Sequence, residues 1–273
     1  MPELPIPLER YAMERHAFGR YTHSVYTRGS GPPVIVMHEL PGITQGAVTF
    51  AERVVERGFT AVLPSLVGSP RRHAGGAIPM LRIAQICISG EFRKLAIGCT
   101  SPVVDWLRAL ARRLSGDEHA PVGAVGLCLT GGFALAMAVD PWIEASVVAE
   151  PALPAPLGEK RKRDLGLSPE HLQALRERQD LQVFGTRFSD DAISPCARFD
   201  RLEAELGPRF VRREIQSGPR SPHGIPKKAH SVLTYDIREL PPNDAGRLEV
   251  EAVIEEALAY LVARLRPSEI AAG

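Results

Sequence analysis

One cysteine stands where its side chain could act as a nucleophile. Cys128 follows an apolar stretch, with Gly126 two positions before it and Thr130 two positions after it. Small residues at these positions are typical of the tight strand-to-helix turn that presents a nucleophile, because larger side chains would collide with the neighbouring strand or helix. Two glycines follow and relieve packing at the start of the predicted helix. The pattern predicts that Cys128 is a nucleophile.

The position of this thiol at a helix N-terminus predicts a lowered pKa, because the helix dipole favours the thiolate. The alternative is that the cysteine only fills space, since free cysteines are among the most buried residues. We favour that alternative for Cys87, Cys99 and Cys196, which no such turn surrounds.

A thiol nucleophile needs a base and a group that orients the base. In folds with this turn the chain order is nucleophile, acid, histidine. The acid would be Asp190 or Asp191, which follow a predicted strand, and the histidine would be His230 or His223, which follow the last one.

Alternating strands and helices are predicted along most of the chain. The predicted strands cover residues 19–29, 32–39, 59–65, 121–128, 143–153, 181–191 and 209–216. The predicted helices cover residues 46–58, 101–116, 131–139, 168–179, 195–207 and 249–265. Residues 80–98 read as a helix followed by a strand or loop. This order predicts one α/β domain over residues 1–273, a mainly parallel sheet with helices on both faces, and a cap or insertion at 154–180 over the sheet's C-terminal end.

Composition argues against several classes of partner. The 273 residues include 33 basic and 32 acidic side chains, a net charge of +1, so no strong field favours nucleic acid or an acidic membrane. Apolar runs fall short of the ~18–20 residues that span a bilayer. The N-terminal segment has no apolar core of a secretion signal. The four cysteines form no CxxC pair, so we expect neither a zinc site nor a disulfide framework, and we expect a cytoplasmic protein.

Four stretches in order resemble the dienelactone hydrolase family of α/β-hydrolases, a resemblance that runs over about residues 32–265. They are VIVMHELPGI at 34–43, VGLCLTGG at 125–132, SDDAISP at 189–195 and AHSVL at 229–233. The resemblance implies an α/β-hydrolase fold and a catalytic triad. Within the third and fourth stretches it selects Asp191, by its spacing to the proline, and His230. Cys128 would then attack an ester or lactone, His230 would relay the proton, and Asp191 would hold the imidazole.

The resemblance implies roles for three further residues. Glu39 matches the glutamate that contacts the resting cysteine and moves when substrate binds. The backbone N–H groups of Leu40 and Leu129 would form the oxyanion hole. All of these groups belong to the protein, so no metal or organic cofactor is expected.

Thiol chemistry indicates which substrates suit such a site. A thiolate leaves more readily than an amine, so attack on an amide collapses back, whereas lactones and activated esters carry good leaving groups of their own. The sequence departs from the family at Thr130, where glycine is usual. Neither Arg82 nor Arg93 aligns as a substrate-carboxylate ligand. Two alternatives stay open: a thioesterase or acyltransferase, and a catalytically silent protein that binds a ligand.

Overall fold

The structure is a computed structural model that describes residues 7–68, 70, 101–234 and 244–266. Eight strands form one sheet in the order β1-β2-β4-β3-β5-β6-β7-β8. The strands are β1 Ala12–Phe18, β2 Tyr21–Gly29, β3 Pro33–Met37, β4 Thr60–Pro64, β5 Val122–Leu127, β6 Ile143–Ala149, β7 Val183–Phe188 and β8 Phe210–Ile215. Strand β2 runs antiparallel to both β1 and β4, and all other neighbours are parallel. The predicted mainly parallel sheet is confirmed.

Helices cover both faces of this sheet. They are α1 Gln45–Glu56, α2 Pro102–Ser115, α3 Gly131–Met137, α4 Glu159–Lys162, α5 Pro169–Glu177, α6 Cys196–Leu206 and α7 Ala245–Leu265. Side chains of α1 and α7 pack in one core cluster, and those of α2, α3 and α6 pack in the other.

The central strands read as continuous apolar runs because both of their faces are buried. In β3, Val34 and Val36 belong to one cluster, while Ile35 and Met37 belong to the other. Strand β5, which leads to Cys128, is buried along its whole length. The parallel strands therefore end together at one edge, where their following loops meet.

The structure differs from the sequence-based expectation at the first strand. Strand β1 was not predicted, because most of its side chains face solvent at the sheet edge and give no apolar period. Within the segment 154–180, α5 belongs to the crossover that two parallel neighbours such as β6 and β7 require. The cap predicted for this segment stays a prediction. The segment predicted at 80–98, which contains Arg82, Cys87 and Arg93, lies outside the described residues, and so does the following Cys99.

Candidate active site

Cys128 sits on a strained turn at the carboxyl end of β5. Its φ of +52° lies in the left-handed region that non-glycine residues rarely adopt. A Cβ at Gly126 would come within 2.2 Å of the Thr130 carbonyl oxygen, and one at Gly131 within 2.8 Å of the Pro151 Cα. These contacts explain why small residues flank the cysteine. The turn leaves Cys128 partly exposed and free of any disulfide.

Thr130, the residue that departs from the family pattern, ties the turn to the adjacent strand. Its hydroxyl accepts a hydrogen bond from the Leu127 N–H at 2.9 Å. The same oxygen lies 2.9 Å from the Met37 carbonyl and 3.0 Å from the Leu127 carbonyl. Thr130 is completely buried. The threonine side chain is tolerated because its hydroxyl bridges β3 and β5. The close contact with Pro151, which leaves no room for a side chain, occurs at Gly131 instead.

His230 and Asp191 meet at the same edge of the sheet. The His230 Nδ1 lies 2.6 Å from Asp191 Oδ2, so Nδ1 carries the proton of this hydrogen bond. Asp191 is nearly buried, and its Oδ1 accepts the backbone N–H groups of Ile193 and Ser194 at 2.9 and 3.2 Å. The carboxylate is therefore fixed at both oxygens while it orients the imidazole.

The two competing residues lie elsewhere. Asp190 pairs with Arg220 at 2.9 Å on the surface. His223 is exposed, and its Nε2 lies 3.9 Å from Glu249. The structure thus joins His230 to Asp191, rather than either competitor.

Cys128 and His230 influence each other's pKa electrostatically. Burial raises the pKa of the Cys128 thiol, and hydrogen bonding to His230 offsets only part of this rise. Burial disfavours the charged imidazole, but the hydrogen bond to Asp191 and the interaction with Cys128 outweigh it and raise the pKa of His230. The expectation of a lowered thiol pKa is wrong, because burial of the thiol raises its pKa. What favours the thiolate here is the imidazole.

Glu39 is held by the loop that carries His230. Its Oε2 accepts a short hydrogen bond from the Ser231 hydroxyl, and its Oε1 accepts one from the Thr234 hydroxyl at 2.7 Å. Its negative charge reaches Cys128 and contributes to the raised pKa of the thiol. Sequence reasoning missed both hydroxyl partners.

The backbone of Glu39 is fixed by the residue before it. Burial lowers the pKa of His38 to about 4, so its ring is neutral. The Nδ1–H donates to the Glu39 carbonyl at 2.7 Å, and Nε2 accepts the Leu66 N–H at 3.0 Å.

The residues predicted to supply the oxyanion hole lie beyond the ends of adjacent strands. Met37 of β3 pairs with Gly126 of β5, and Leu40 and Leu129 each follow three positions later. Leu129 directly follows Cys128 in the 3-10 turn Cys128–Thr130. Both backbone segments therefore reach the edge of the sheet where Cys128 lies.

Two further side chains shape the site and were not predicted. Glu150 follows β6 directly and is completely buried, and its Oε2 accepts the Val232 N–H at 2.9 Å. Arg187 of β7 is also buried, and it donates to the carbonyls of Ser194 and Ser189 at 2.8 and 3.0 Å, which fixes the turn that carries Asp191. An acid directly after a buried strand was the available signal for Glu150.

In the described part of the chain, no group of three or more His, Cys, Asp and Glu side chains is arranged to hold a metal ion. No helix in the described ranges is long and apolar enough to cross a membrane.

Known structures share this fold at low identity. A protein from Klebsiella pneumoniae subsp. pneumoniae described as a candidate dienelactone hydrolase is 17% identical, with a TM-score of 0.57 over 93% of this chain and 98% of its own. A cold-adapted esterase from an Arctic intertidal metagenomic library is 17% identical, with a TM-score of 0.56 over 93% of both chains. A dienelactone hydrolase-like promiscuous phosphotriesterase from metagenomic libraries is 16% identical, with a TM-score of 0.54 over 92% and 98%.

At such identities these likenesses establish the α/β-hydrolase fold alone. No curated protein is significantly similar in sequence. The sequence pattern of the dienelactone hydrolase family, however, matches residues 18–236, which is more than half of the chain. The chain therefore belongs to the dienelactone hydrolase family.

Proposed function

We propose that this protein hydrolyses a lactone or an activated carboxylic ester through a covalent thioester on Cys128. His230 is the base, and Asp191 orients it. The observations that carry the proposal are the His230–Asp191 hydrogen bond and, within electrostatic reach of that imidazole, a thiol on a strained turn. Backbone strain at a reactive side chain favours a functional role, because a merely space-filling cysteine needs no such turn.

The first half-reaction forms the thioester. His230 takes the proton from the Cys128 sulfur, and the thiolate adds to the substrate carbonyl carbon. The carbonyl oxygen becomes an oxyanion, which the backbone N–H groups of Leu40 and Leu129 stabilise. When the oxyanion collapses, the bond to the leaving oxygen breaks, and His230 returns the proton to that oxygen. In a lactone the freed hydroxyl stays part of the acyl chain.

The second half-reaction releases the acid. His230 takes a proton from a water molecule, whose oxygen adds to the thioester carbonyl. The carbon–sulfur bond breaks, a carboxylic acid leaves, and His230 protonates the thiolate. Asp191 keeps the imidazole in one orientation through both halves, because its two oxygens are already fixed.

Glu39 sets the resting reactivity of the thiol in this proposal. Its charge disfavours a second negative charge on Cys128. A substrate that draws the carboxylate further toward Ser231 and Thr234 would relieve this repulsion. The thiolate would then form when a substrate is present to react with it.

A chromogenic aryl ester tests the function. The wild-type protein should release a burst of phenol equal to the enzyme concentration, followed by slower steady turnover. Cys128→Ala should show no burst, whereas Cys196→Ala, which removes an exposed cysteine on α6, should retain it. A protein that binds the ester without any burst would support the silent ligand-binding alternative. Transfer of the acyl group to an added thiol in preference to water would support an acyltransferase.

A further inference from the structure

The carboxyl group of Glu150 lies near Cys128, Asp191 and His230 and takes no part in the mechanism proposed above. It stands at the end of β6, between the strands that deliver Cys128 and Asp191. The side chain is completely buried, and Oε2 accepts the Val232 N–H at 2.9 Å. Its Oε1 is also buried and has no hydrogen-bond partner in the described part of the chain.

The backbone at Glu150 is strained in the same way as at Cys128. Among the described residues, four that are not glycine have a positive φ, and three of them lie at this site: Cys128, Glu150 and Ser231. Glu150 has a φ of +34°. Strain of this kind persists where the surrounding structure fixes the residue, and it concentrates at functional positions. The conformation aims a carboxyl group at the loop that carries His230.

The surroundings disfavour a charge on this carboxyl group. Its titratable neighbours are Glu39 after β3, Cys128 after β5, Asp191 after β7 and His230 after β8. Burial raises the pKa of Glu150 to about 8, an effect that His230 opposes and Glu39 reinforces. A buried neutral carboxyl oxygen without a hydrogen-bond partner costs less free energy than a buried carboxylate without a counter-ion. Glu150 therefore carries a proton at neutral pH.

Resting on the proposed function, we propose that Glu150 is a positioning residue: as a neutral acid it holds the His230 loop, and its ionisation in alkaline solution disfavours the Cys128 thiolate. Glu39 grips the same loop through the Ser231 and Thr234 hydroxyls. Glu150 grips it through the Val232 backbone, two residues after His230. The loop is thus held from two sides, by Glu39 and by Glu150.

The test follows alkylation of Cys128 by iodoacetamide from pH 6 to pH 10, with site-resolved mass spectrometry and Cys196 as internal reference. Glu150→Ala should slow alkylation about tenfold at pH 6.5, because the Val232 N–H loses its acceptor and His230 is displaced. Glu150→Gln supplies an amide oxygen and should restore most of that rate. Above pH 9, Glu150→Gln should react about three- to tenfold faster than the wild type, since it cannot acquire the charge that raises the pKa of Cys128.

A purely structural role would not move the pH profile, so identical profiles for Glu150→Gln and the wild type would overturn the proposal. Glu205→Gln is the matched control, because Glu205 has a largely buried side chain on α6 and pairs with Arg176. Its profile should match that of the wild type.

Two further readouts keep the test decisive. If Glu150→Gln does not fold, infrared spectra of the wild type should show a protonated carboxyl group at pH 6.5 that is lost by pH 9.5, and the absence of this band would overturn the proposal. Alkylation requires no ester turnover. If the alkylation profile depends on Glu150 but no acyl-enzyme forms, the proposed function is rejected and the role of Glu150 is retained. If an acyl-enzyme forms but the profiles do not change, the role of Glu150 is rejected and the proposed function is retained.

Discussion

Cys128 and Cys196 are two free thiols at the beginnings of helices, yet their surroundings differ. Burial raises the pKa of both. The Cys196 sulfur lies 3.1 Å from the guanidinium of Arg212, a cation that cannot accept a proton. Cys128 faces His230, which can accept one and return it. The comparison leads us to expect that only Cys128, which has a proton-exchanging neighbour, acts as a nucleophile.

Removal of each thiol tests this comparison with the largest expected effect. Cys128→Ala should lower kcat/KM for an activated aryl ester by about 10³-fold or more, because the covalent route is lost. Cys196→Ala should stay within about twofold of the wild type. Steady-state kinetics with both variants decide the matter, and a comparable loss in Cys196→Ala would break the contrast.

Removal of the orienting charge tests why His230 differs from Arg212. Asp191→Asn should lower kcat by about 10²- to 10⁴-fold, because the imidazole loses the partner that fixes its orientation and tautomer. The hydrogen bond to Asp191 raises the pKa of His230, so the acidic limb of the pH–rate profile should move to lower pH in this variant.

Asp190→Asn is the matched control for that variant, since it changes the adjacent residue and removes only a surface ion pair with Arg220. Its pH–rate profile should match that of the wild type. Equal losses in the two variants would mean that Asp191 does not orient the base.

Removal of the Glu39 charge should change the reactivity of Cys128 by a smaller factor. Glu39 contributes to the raised pKa of Cys128, so Glu39→Gln should let the thiol ionise at lower pH. Alkylation of Cys128 at pH 7 should become about three- to tenfold faster. Alkylation of Cys196, followed in the same digest, should not change. A slower reaction at Cys128 would show that Glu39 activates the thiol at rest.

The smallest effect concerns the turn itself. Thr130→Val should lower the free energy of unfolding by about 1–3 kcal/mol, because the buried Leu127 N–H loses its acceptor. Urea denaturation measures this change. Thr60→Val, whose hydroxyl makes an exposed hydrogen bond to the Gly31 carbonyl, should change stability by less than about 0.5 kcal/mol. Equal losses of unfolding free energy in the two variants would show that the Thr130 hydroxyl does not stabilise the turn.

The sequence was informative where local pattern and chain topology act together. Continuous apolar runs predicted the parallel strands. The chain order of nucleophile, acid and histidine left two acids and two histidines open, and the family resemblance selected Asp191 and His230. Strand β1 escaped because its exposed side chains carry no apolar period. Glu150 was not predicted as a site residue, because its neighbours Val232 and His230 lie about 80 positions later in the chain. The thiol pKa was misjudged because a helix terminus can be read from sequence, whereas burial cannot.

The central claim, that Cys128 carries the acyl group, can be tested by trapping. The protein is mixed with an excess of an activated ester and quenched in acid within the burst, and intact mass and peptide mapping locate the modification. The account predicts one acyl group per chain, on Cys128, absent from Cys128→Ala and delayed in its hydrolysis in Asp191→Asn. Turnover without a modified Cys128, or equal labelling of Cys196, would contradict it.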